Sequence, residues 1–240
     1  MTMKLSERAM LVSLSVSSWS GMLIDREVSE EVSIAHKAET DAGRYNKRIV
    51  AGKFLAEVNS KISNARKSHR ILTLPWSDDG TRILCATGWF HYTGAMNDCK
   101  ESVEAAVKEF VKGMPDYIDE ARQRLGTMFD ADDYPEAAAV RKKFHIDVEI
   151  KPIPEAGDFR AKLSNDAVKA IAKDIEDRCN ERVELAVQDV YRRVADCTAK
   201  MSERLRAFTP AGKGETSKSV FRDTLVYNIS ELADLIPSLN

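Results

Sequence analysis

The chain has 240 residues, of which 43% are hydrophobic, 31% charged and 7% aromatic, and its formal net charge is −2. This length and apolar content suffice for a buried core and exclude a wholly disordered chain. The first residues lack the apolar run of a signal peptide, and no run of about 18 apolar residues occurs, so we expect a cytoplasmic protein that does not enter a membrane. Cys85, Cys99, Cys179 and Cys197 show no C-x-x-C spacing, so the sequence suggests neither a zinc knuckle nor a disulfide framework.

The N-terminal quarter carries two different periodicities. Apolar residues alternate over 10–16, which predicts a half-buried strand. From about residue 25 the apolar spacing becomes helical and predicts a long helix over about 25–69. Gly43 and Gly52 weaken this helix, each by about 1 kcal/mol relative to Ala.

Residues 70–155, approximately, combine short apolar runs, a turn signal and helical spacing. This combination predicts an inserted α/β subdomain. The turn signal at 77–80 separates two short apolar runs, which indicates a short hairpin or a loop closed over an aromatic residue. Helices are predicted over about 97–112, over 115–126 and briefly after Asp133. A strand is predicted over 144–150, and we pair it with residues 10–16.

The most extended pattern is an apolar stripe without Gly or Pro over about 163–208, which predicts a single long helix. Its spacing of about 3.6 residues per step is that of a nearly straight helix rather than a heptad coiled coil. The opposite face carries pairs at i,i+4 that favour a solvated surface. These pairs are Asp174 with Arg178, Asp189 with Arg193, and Asp196 with Lys200.

The two long helices, about 25–69 and 163–208, would pack as an antiparallel hairpin. A flexible loop is predicted over 209–219 and a short amphipathic helix over 220–237. The fold class is therefore α+β and predominantly α: a long antiparallel helical hairpin with a small β-sheet and a helical insertion. We expect one elongated domain over 1–240 and an oligomeric protein.

Motifs of known chemistry are not fulfilled. The run Gly212–Ser219 lacks the Gly before Lys-Ser that a phosphate loop needs, and a helix precedes it. Asp130, Asp132 and Asp133 would serve a divalent cation, although helix capping explains them equally well. The four histidines show no ligand spacing. We therefore predict no catalytic residues, no cofactor and no metal site, and favour a non-enzymatic protein.

A basic stretch lies beside aromatic residues. Residues 44–70 contain eight Lys and Arg against one acid, whereas residues 71–160 contain 11 against 17. Such an asymmetry can attract a second copy of the chain or bind a polyanion. The alternative is two solvated faces without a binding role. Basic side chains would follow a phosphate backbone while aromatic rings stack on bases. The candidate nucleic-acid contacts are Arg44, Lys47, Arg48, Arg66, Lys67, Arg70, Trp76 and Trp89, with Phe90 and Tyr92 as further stacking candidates; the alternative is that the aromatic residues anchor the core.

Five short motifs carry a family resemblance. They are Trp19-x-Gly21, Ala42–Lys47, Thr73–Trp76, Arg124-Leu125-Gly126-x-x-Phe129 and Asp133-Tyr134-Pro135. On these motifs the chain resembles an uncharacterised family of phage and bacterial proteins catalogued as a domain of unknown function, often encoded near AAA ATPases of the MoxR type. The resemblance implies a protein of the bacterial or host cytoplasm and supplies no catalytic residues.

Three functions follow, in order of preference. The first is a binding or scaffold protein that associates with itself or with another protein, including an AAA ATPase. The second is a single-stranded nucleic-acid-binding protein that uses the basic helix and an aromatic loop. The third is a metal-dependent enzyme that uses the acidic segment.

Overall fold

The computed structural model describes residues 5–155 and 165–207. The chain is α+β and predominantly helical, which confirms the predicted fold class. The predicted loop over 209–219 and helix over 220–237 lie outside the described residues, as do Gly212–Ser219. Within the described part, no helix is long and apolar enough to cross a membrane.

Four strands form one sheet in the order β4-β5-β1-β6. They are β1 Ala9–Ser17, β4 Leu74–Pro75, β5 Arg82–Cys85 and β6 His145–Lys151; a helical turn, α1 Leu5–Arg8, precedes β1. Strand β5 runs antiparallel to β1 and to β4, so Ile83 lies opposite both Leu11 and Leu74. The predicted hairpin on either side of residues 77–80 is confirmed, and so is the predicted pairing of β1 with β6.

The predicted continuous helix over about 25–69 is wrong. Residues 22–71 instead form β2 Met22–Asp25, α2 Arg26–Ala35, β3 Tyr45–Arg48 and α3 Gly52–Ile71. Strands β2 and β3 pair antiparallel, with Leu23 opposite Lys47. The first arm of the predicted hairpin is therefore two helices separated by a strand.

Contacts that are distant in sequence explain this interruption. Helix α2 ends just before Lys37, which has a φ of +53°. The backbone N–H of Tyr45 then donates to Ser29 Oγ at 2.9 Å, and the carbonyls of Arg48 and Ile49 accept from Arg124 and Tyr134 at 2.7 and 3.0 Å. Because these groups are bound by side chains, they gain nothing by forming helical hydrogen bonds.

The helices of the middle region follow the sequence closely, with one correction. They are α4 Trp89–Lys112, α5 Met114–Leu125 and α6 Ala137–Lys142. Pro115 stands in the first turn of α5 and Gly126, with a φ of +56°, follows its last residue, as predicted. Helix α4 begins eight residues before the predicted position, so Trp89, Phe90 and Tyr92 lie on its first turn. The predicted aromatic loop is thus helical at these three residues.

The predicted long helix is confirmed as α7 Asn165–Ala207, which has 43 residues. Leu163 and Phe208, the predicted ends, lie outside the described residues. Ala186 and Val190 of α7 are buried against Leu74, Trp76 and other residues of one apolar cluster. The helix thus buries its apolar stripe on strands of the sheet.

By their contacts the described residues fall into two compact units. The first takes in residues 5–14, 68–95, 148–155 and 165–207, and its core is the cluster beneath α7. The second takes in residues 15–67 and 96–147. Its core includes Phe110, whose ring contacts those of Trp19, Tyr117 and Phe144 at centroid distances of 5.5 to 6.3 Å. The single elongated domain over 1–240 stays a prediction.

Candidate functional site

A cavity of about 600 Å³ opens in the first unit beside α7. Three segments line it: the end of α3, the β4–β5 hairpin and one face of α7. Five of its lining residues are basic and two are acidic. We call this cavity the cationic groove, and its lining residues are Arg70, Ile71, Pro75, Arg82, Asp189, Arg192, Arg193, Asp196, Cys197 and Lys200.

The geometry of α7 explains why so many charges meet there. Asp189, Arg193, Asp196 and Lys200 follow one another at intervals of three or four residues and therefore lie on one side of the helix. The adjacent side carries Val190, which is packed in the core. The charged face thus lies at the edge of the buried interface, where it is partly shielded from water.

Two of the groove's arginines bind the carbonyl groups that end α3. Arg82 Nη2 donates to the carbonyls of Arg70 and Thr73 at 3.3 and 2.9 Å, and Arg193 Nη2 donates to the same pair at 3.0 and 3.1 Å. The last carbonyls of a helix have no partner within the helix and form the negative end of its dipole. Arg82 and Arg193 therefore have a capping role that requires no ligand.

The positive charge of the groove exceeds what its own acids neutralise. Burial, followed by the charges of Arg193 and Arg70, lowers the pKa of Arg82 to about 10. The pKa of Arg193 is also lowered, chiefly by burial, although Asp189 opposes the shift. Neighbouring cations that depress one another's pKa are stabilised when an anion binds between them. With five basic and two acidic lining residues, the groove has a net positive charge, which favours anions over cations.

Asp189 is the acid that lies deepest among these charges. Its Oδ2 lies 2.7 Å from Arg193 Nε, and its Oδ1 contacts Arg192 Nη2. The side chain of Asp189 is only 10% exposed, whereas that of Arg192 is 67% exposed. The predicted Asp189–Arg193 pair is therefore confirmed, but at the wall of a cavity rather than on an open face.

His69 lies behind the groove, at the end of α3. Its Nδ1 lies 2.8 Å from Tyr92 Oη, and its Nε2 has no hydrogen-bond partner among the described residues. Burial, followed by the charges of Arg82 and Arg70, lowers the pKa of His69 to about 4. Burial also raises the pKa of Tyr92. The pair is thus neutral at physiological pH.

Lys47, one of the predicted nucleic-acid contacts, is engaged inside the second unit. Its Nζ lies 3.1 Å from Asp25 Oδ2 and 2.7 Å from Asp133 Oδ2, and it donates to the Met128 carbonyl at 3.2 Å. Burial opposes the charged form, but hydrogen bonds to the two carboxylates outweigh it and raise the pKa of Lys47. A lysine that is 6% exposed and held this way is withdrawn from contact with a phosphate backbone.

The predicted stacking residues divide into buried and exposed ones. Trp76 is 4% exposed in the core of the first unit, with the Arg182 guanidinium 5.4 Å from its ring centroid, and Tyr92 is 1% exposed. Both side chains are therefore core residues, which is the alternative to base stacking given in the sequence analysis. Trp89 is half-buried, and Phe90 is exposed.

The predicted basic contacts are spread over both units. Arg44, Arg48, Arg66 and Lys67 are exposed in the second unit, and Arg70 is the predicted contact that lines the cationic groove. The sequence interpretation did not single out Arg82, Arg192, Arg193 or Lys200 as binding residues. Arg193 and Lys200 stand in i,i+4 pairs on α7, but a solvated face has the same spacing, and nothing local distinguishes Arg82 or Arg192.

The acidic segment serves local structure. Asp130 Oδ1 accepts from the backbone N–H of Asp132 at 3.0 Å, as the capping interpretation predicts, and Asp133 pairs with Lys47. In residues 5–155 and 165–207, no three His, Cys, Asp or Glu side chains are grouped to hold a metal ion. The segment therefore lends no support to metal chemistry.

Comparison of the chain with protein-family models, with curated proteins and with solved structures finds no match. The resemblance to the phage and bacterial family stays a prediction. Several of the residues that carry it have a structural role in the second unit. Arg124, Asp133 and Tyr134, for example, all bind residues 47–49.

Proposed function

We propose that this chain is a non-enzymatic binding protein that holds an acidic segment of a partner protein in the cationic groove. The observation that carries the proposal is the lining of the groove, with five basic side chains against two acidic ones. Arg192 and Lys200 are exposed and would reach the ligand first. Guanidinium groups bind carboxylates through paired, directional hydrogen bonds, which suits them to acidic side chains.

The composition of the groove favours a peptide over a nucleic acid. Ile71 and Pro75 offer apolar contact, and no aromatic side chain belongs to the described lining. Single-strand binders usually combine cations with aromatic rings on which bases stack.

The partner that the resemblance suggests is an AAA ATPase of the MoxR type. Support for a protein partner also comes from α7, on which Leu185, Tyr191 and Leu205 are at least half exposed. Self-association stays a prediction, which light scattering coupled to size-exclusion chromatography would test. Co-elution of the purified chain with the ATPase would test the partner.

The ligand class is tested by fluorescence anisotropy with the full chain and a labelled oligoglutamate peptide across a salt series. We expect binding at low salt that weakens as salt rises. The double variant Arg192→Glu/Lys200→Glu should weaken binding by about 10-fold or more. The matched control Lys173→Glu/Arg178→Glu makes the same charge change at exposed sites of α7 outside the groove and should leave affinity nearly unchanged. Absence of binding at low salt, or equal losses in both double variants, would overturn the proposal.

Single-stranded nucleic-acid binding is the second candidate. Arg44, Arg48, Arg66 and Lys67 favour it, because they are exposed cations of the second unit. A labelled oligothymidylate should then bind more tightly than oligoglutamate, and Arg66→Glu/Lys67→Glu should reduce its affinity and its salt dependence. Equal binding by this variant and the wild type would reject the candidate.

A further inference from the structure

Asp189 is an acid placed where the proposed ligand's acids would bind. It contacts the guanidinium groups of both Arg192 and Arg193. Because the side chains of Asp189 and Arg193 are 10% and 18% exposed, water screens their ion pair only weakly. The pair with Arg192, which is 67% exposed, is open to water on the arginine side. An incoming carboxylate therefore meets arginines that are already paired.

The two arginines are held in different ways. Arg193 donates to the carbonyls of Ile71, Arg70 and Thr73 as well as pairing with Asp189, and its side chain is 18% exposed. Arg192 is 67% exposed and contacts Asp189 without comparable backbone anchors among the described residues. Arg192 is thus free to exchange partners, whereas Arg193 is fixed by the end of α3.

We propose that Asp189 is a built-in competitor of the ligand, and that an acidic segment binds by displacing it from Arg192. This inference rests on the proposed function of the groove. After displacement Asp189 Oδ2 still lies 2.7 Å from Arg193 Nε, so the carboxylate keeps a neighbouring cation. It loses the hydrogen bond that Arg192 donates to its Oδ1, and the ligand must offset this loss. A single small anion gains too little from Arg192 to replace an intramolecular carboxylate. A segment with several acids gains further contacts at Arg70 and Lys200, so Asp189 selects multivalent acidic ligands.

The competitor is tested by comparing Asp189→Asn with Asp196→Asn in the oligoglutamate titration. Both variants remove one negative charge from the groove, so the general electrostatic gain is matched. Because only Asp189 occupies Arg192 directly, we expect Asp189→Asn to tighten binding about 5-fold more than Asp196→Asn does. That excess should vanish when Arg192→Gln is added to each variant.

Each result decides between the hypotheses. If the wild type binds and Asp189→Asn gains no more than Asp196→Asn, or binds more weakly, Asp189 positions the arginines and the competitor role is rejected. If neither the wild type nor Asp189→Asn binds the peptide, the proposed function falls together with this inference. Binding by Asp189→Asn without any by the wild type at low salt would overturn the proposed function of the natural chain, and this inference with it.

A measurement on the wild-type chain removes any dependence on how Asp189→Asn folds. Saturation with oligoglutamate should shift the Nε resonance of Arg192 in a ¹⁵N spectrum and leave that of Arg193 nearly in place. Equal shifts at both arginines, or a shift at Arg193 alone, would contradict displacement at Arg192.

Discussion

Arg193 on α7 donates from Nη1 to the carbonyl of Ile71, the last residue of α3, at 3.0 Å. The bond joins residues 122 positions apart and lies at the wall of the cationic groove. The same guanidinium reaches the carbonyls of Arg70 and Thr73. Arg193 is therefore a structural residue of a groove whose exposed cations, Arg70, Arg192 and Lys200, are the ones available to a ligand.

Replacement of Arg193 by Met should destabilise the chain. The substitution removes three charge-assisted hydrogen bonds and leaves the Ile71 carbonyl and Asp189 without this donor. We expect a loss of about 3 kcal/mol in the free energy of unfolding, measured by urea titration. Arg192→Met is the control, because its exposed side chain has no carbonyl to serve among the bonds described above. Comparable losses in the two variants would contradict the capping role.

His69 should make stability depend on pH between about 6.5 and 4. Its pKa is about 4 in the folded chain against an ordinary 6.5, so below pH 6.5 the unfolded state takes up a proton that the folded state does not. Stability is therefore highest above pH 6.5 and falls as the pH drops to about 4, by about 2 kcal/mol from this residue. Carboxyl groups titrate in the lower part of this window, so the informative quantity is the difference between variants.

The measurement is urea unfolding at a series of pH values for the wild type, His69→Gln and His145→Gln. The slope of stability against pH should flatten in His69→Gln and stay as in the wild type in His145→Gln, whose side chain is exposed. A slope unchanged by His69→Gln would show that the histidine takes up its proton at the same pH in the folded and the unfolded chain, and would contradict the lowered pKa.

The ion cluster of the second unit should be sensitive to loss of its cation. Lys47→Met leaves Asp25 and Asp133 close together without their shared partner. We expect a loss of about 2 kcal/mol, less than for a fully buried pair because the carboxylates are 12% and 17% exposed. Lys53→Met, which removes an exposed pair with Glu120, is the control and should cost less than about 0.5 kcal/mol.

The acid side of this cluster adds a second test. Hydrogen bonds from Val28 and Lys47 lower the pKa of Asp25, so the stability it contributes is present above its ordinary pKa of 3.8 and is lost as the pH falls below that value. Lys47→Met should reduce this acid-dependent loss. Equal stabilities of Lys47→Met and Lys53→Met would show that the cluster does not hold β3 in place.

The elements that were predictable are those defined by local pattern. Helix α7 has an apolar stripe without a breaker, and β4 and β5 flank a turn in which Asp79 Oδ1 accepts from the Thr81 N–H at 2.9 Å. The helix over about 25–69 failed because Ala38 and Ala42 mimic helical spacing while adding little apolar area. The helix is interrupted by contacts with residues distant in the chain, such as those of Arg48 with Arg124 and of Ile49 with Tyr134, which no local pattern reveals.

The candidate site was less predictable for the same reason. The charges of α7 were visible in sequence as i,i+4 pairs, but a solvated face and the wall of a cavity have the same spacing. Arg193 becomes a cap only because Arg70 and Thr73 lie 123 and 120 positions away in the chain and adjacent in the fold. Trp76 shows the opposite error. Its position beside a basic stretch suggested a stacking residue, but its side chain is buried in the core.

Gly21 and Gly43 should respond in opposite ways to replacement by alanine. Gly21 lies in the turn before the predicted helix over about 25–69, and Gly43 lies within that stretch. Gly21 has a φ of +64°, and a Cβ there would lie 3.0 Å from Val50 Cβ and 3.2 Å from Leu55 Cδ1. Its carbonyl also accepts from the Ile49 and Val50 N–H groups at 2.9 and 3.1 Å, so the backbone cannot turn away without losing them. Gly21→Ala should therefore cost about 2 kcal/mol.

At Gly43 a Cβ would meet no atom of the described residues within 4 Å. Gly43→Ala should then be neutral or stabilise the fold by about 0.5 kcal/mol, because alanine reduces the conformational freedom of the unfolded chain. Urea unfolding of both variants checks the pair. If Gly43→Ala instead proved as harmful as Gly21→Ala, close packing around residue 43 would be required, and the open turn between α2 and β3 would be wrong.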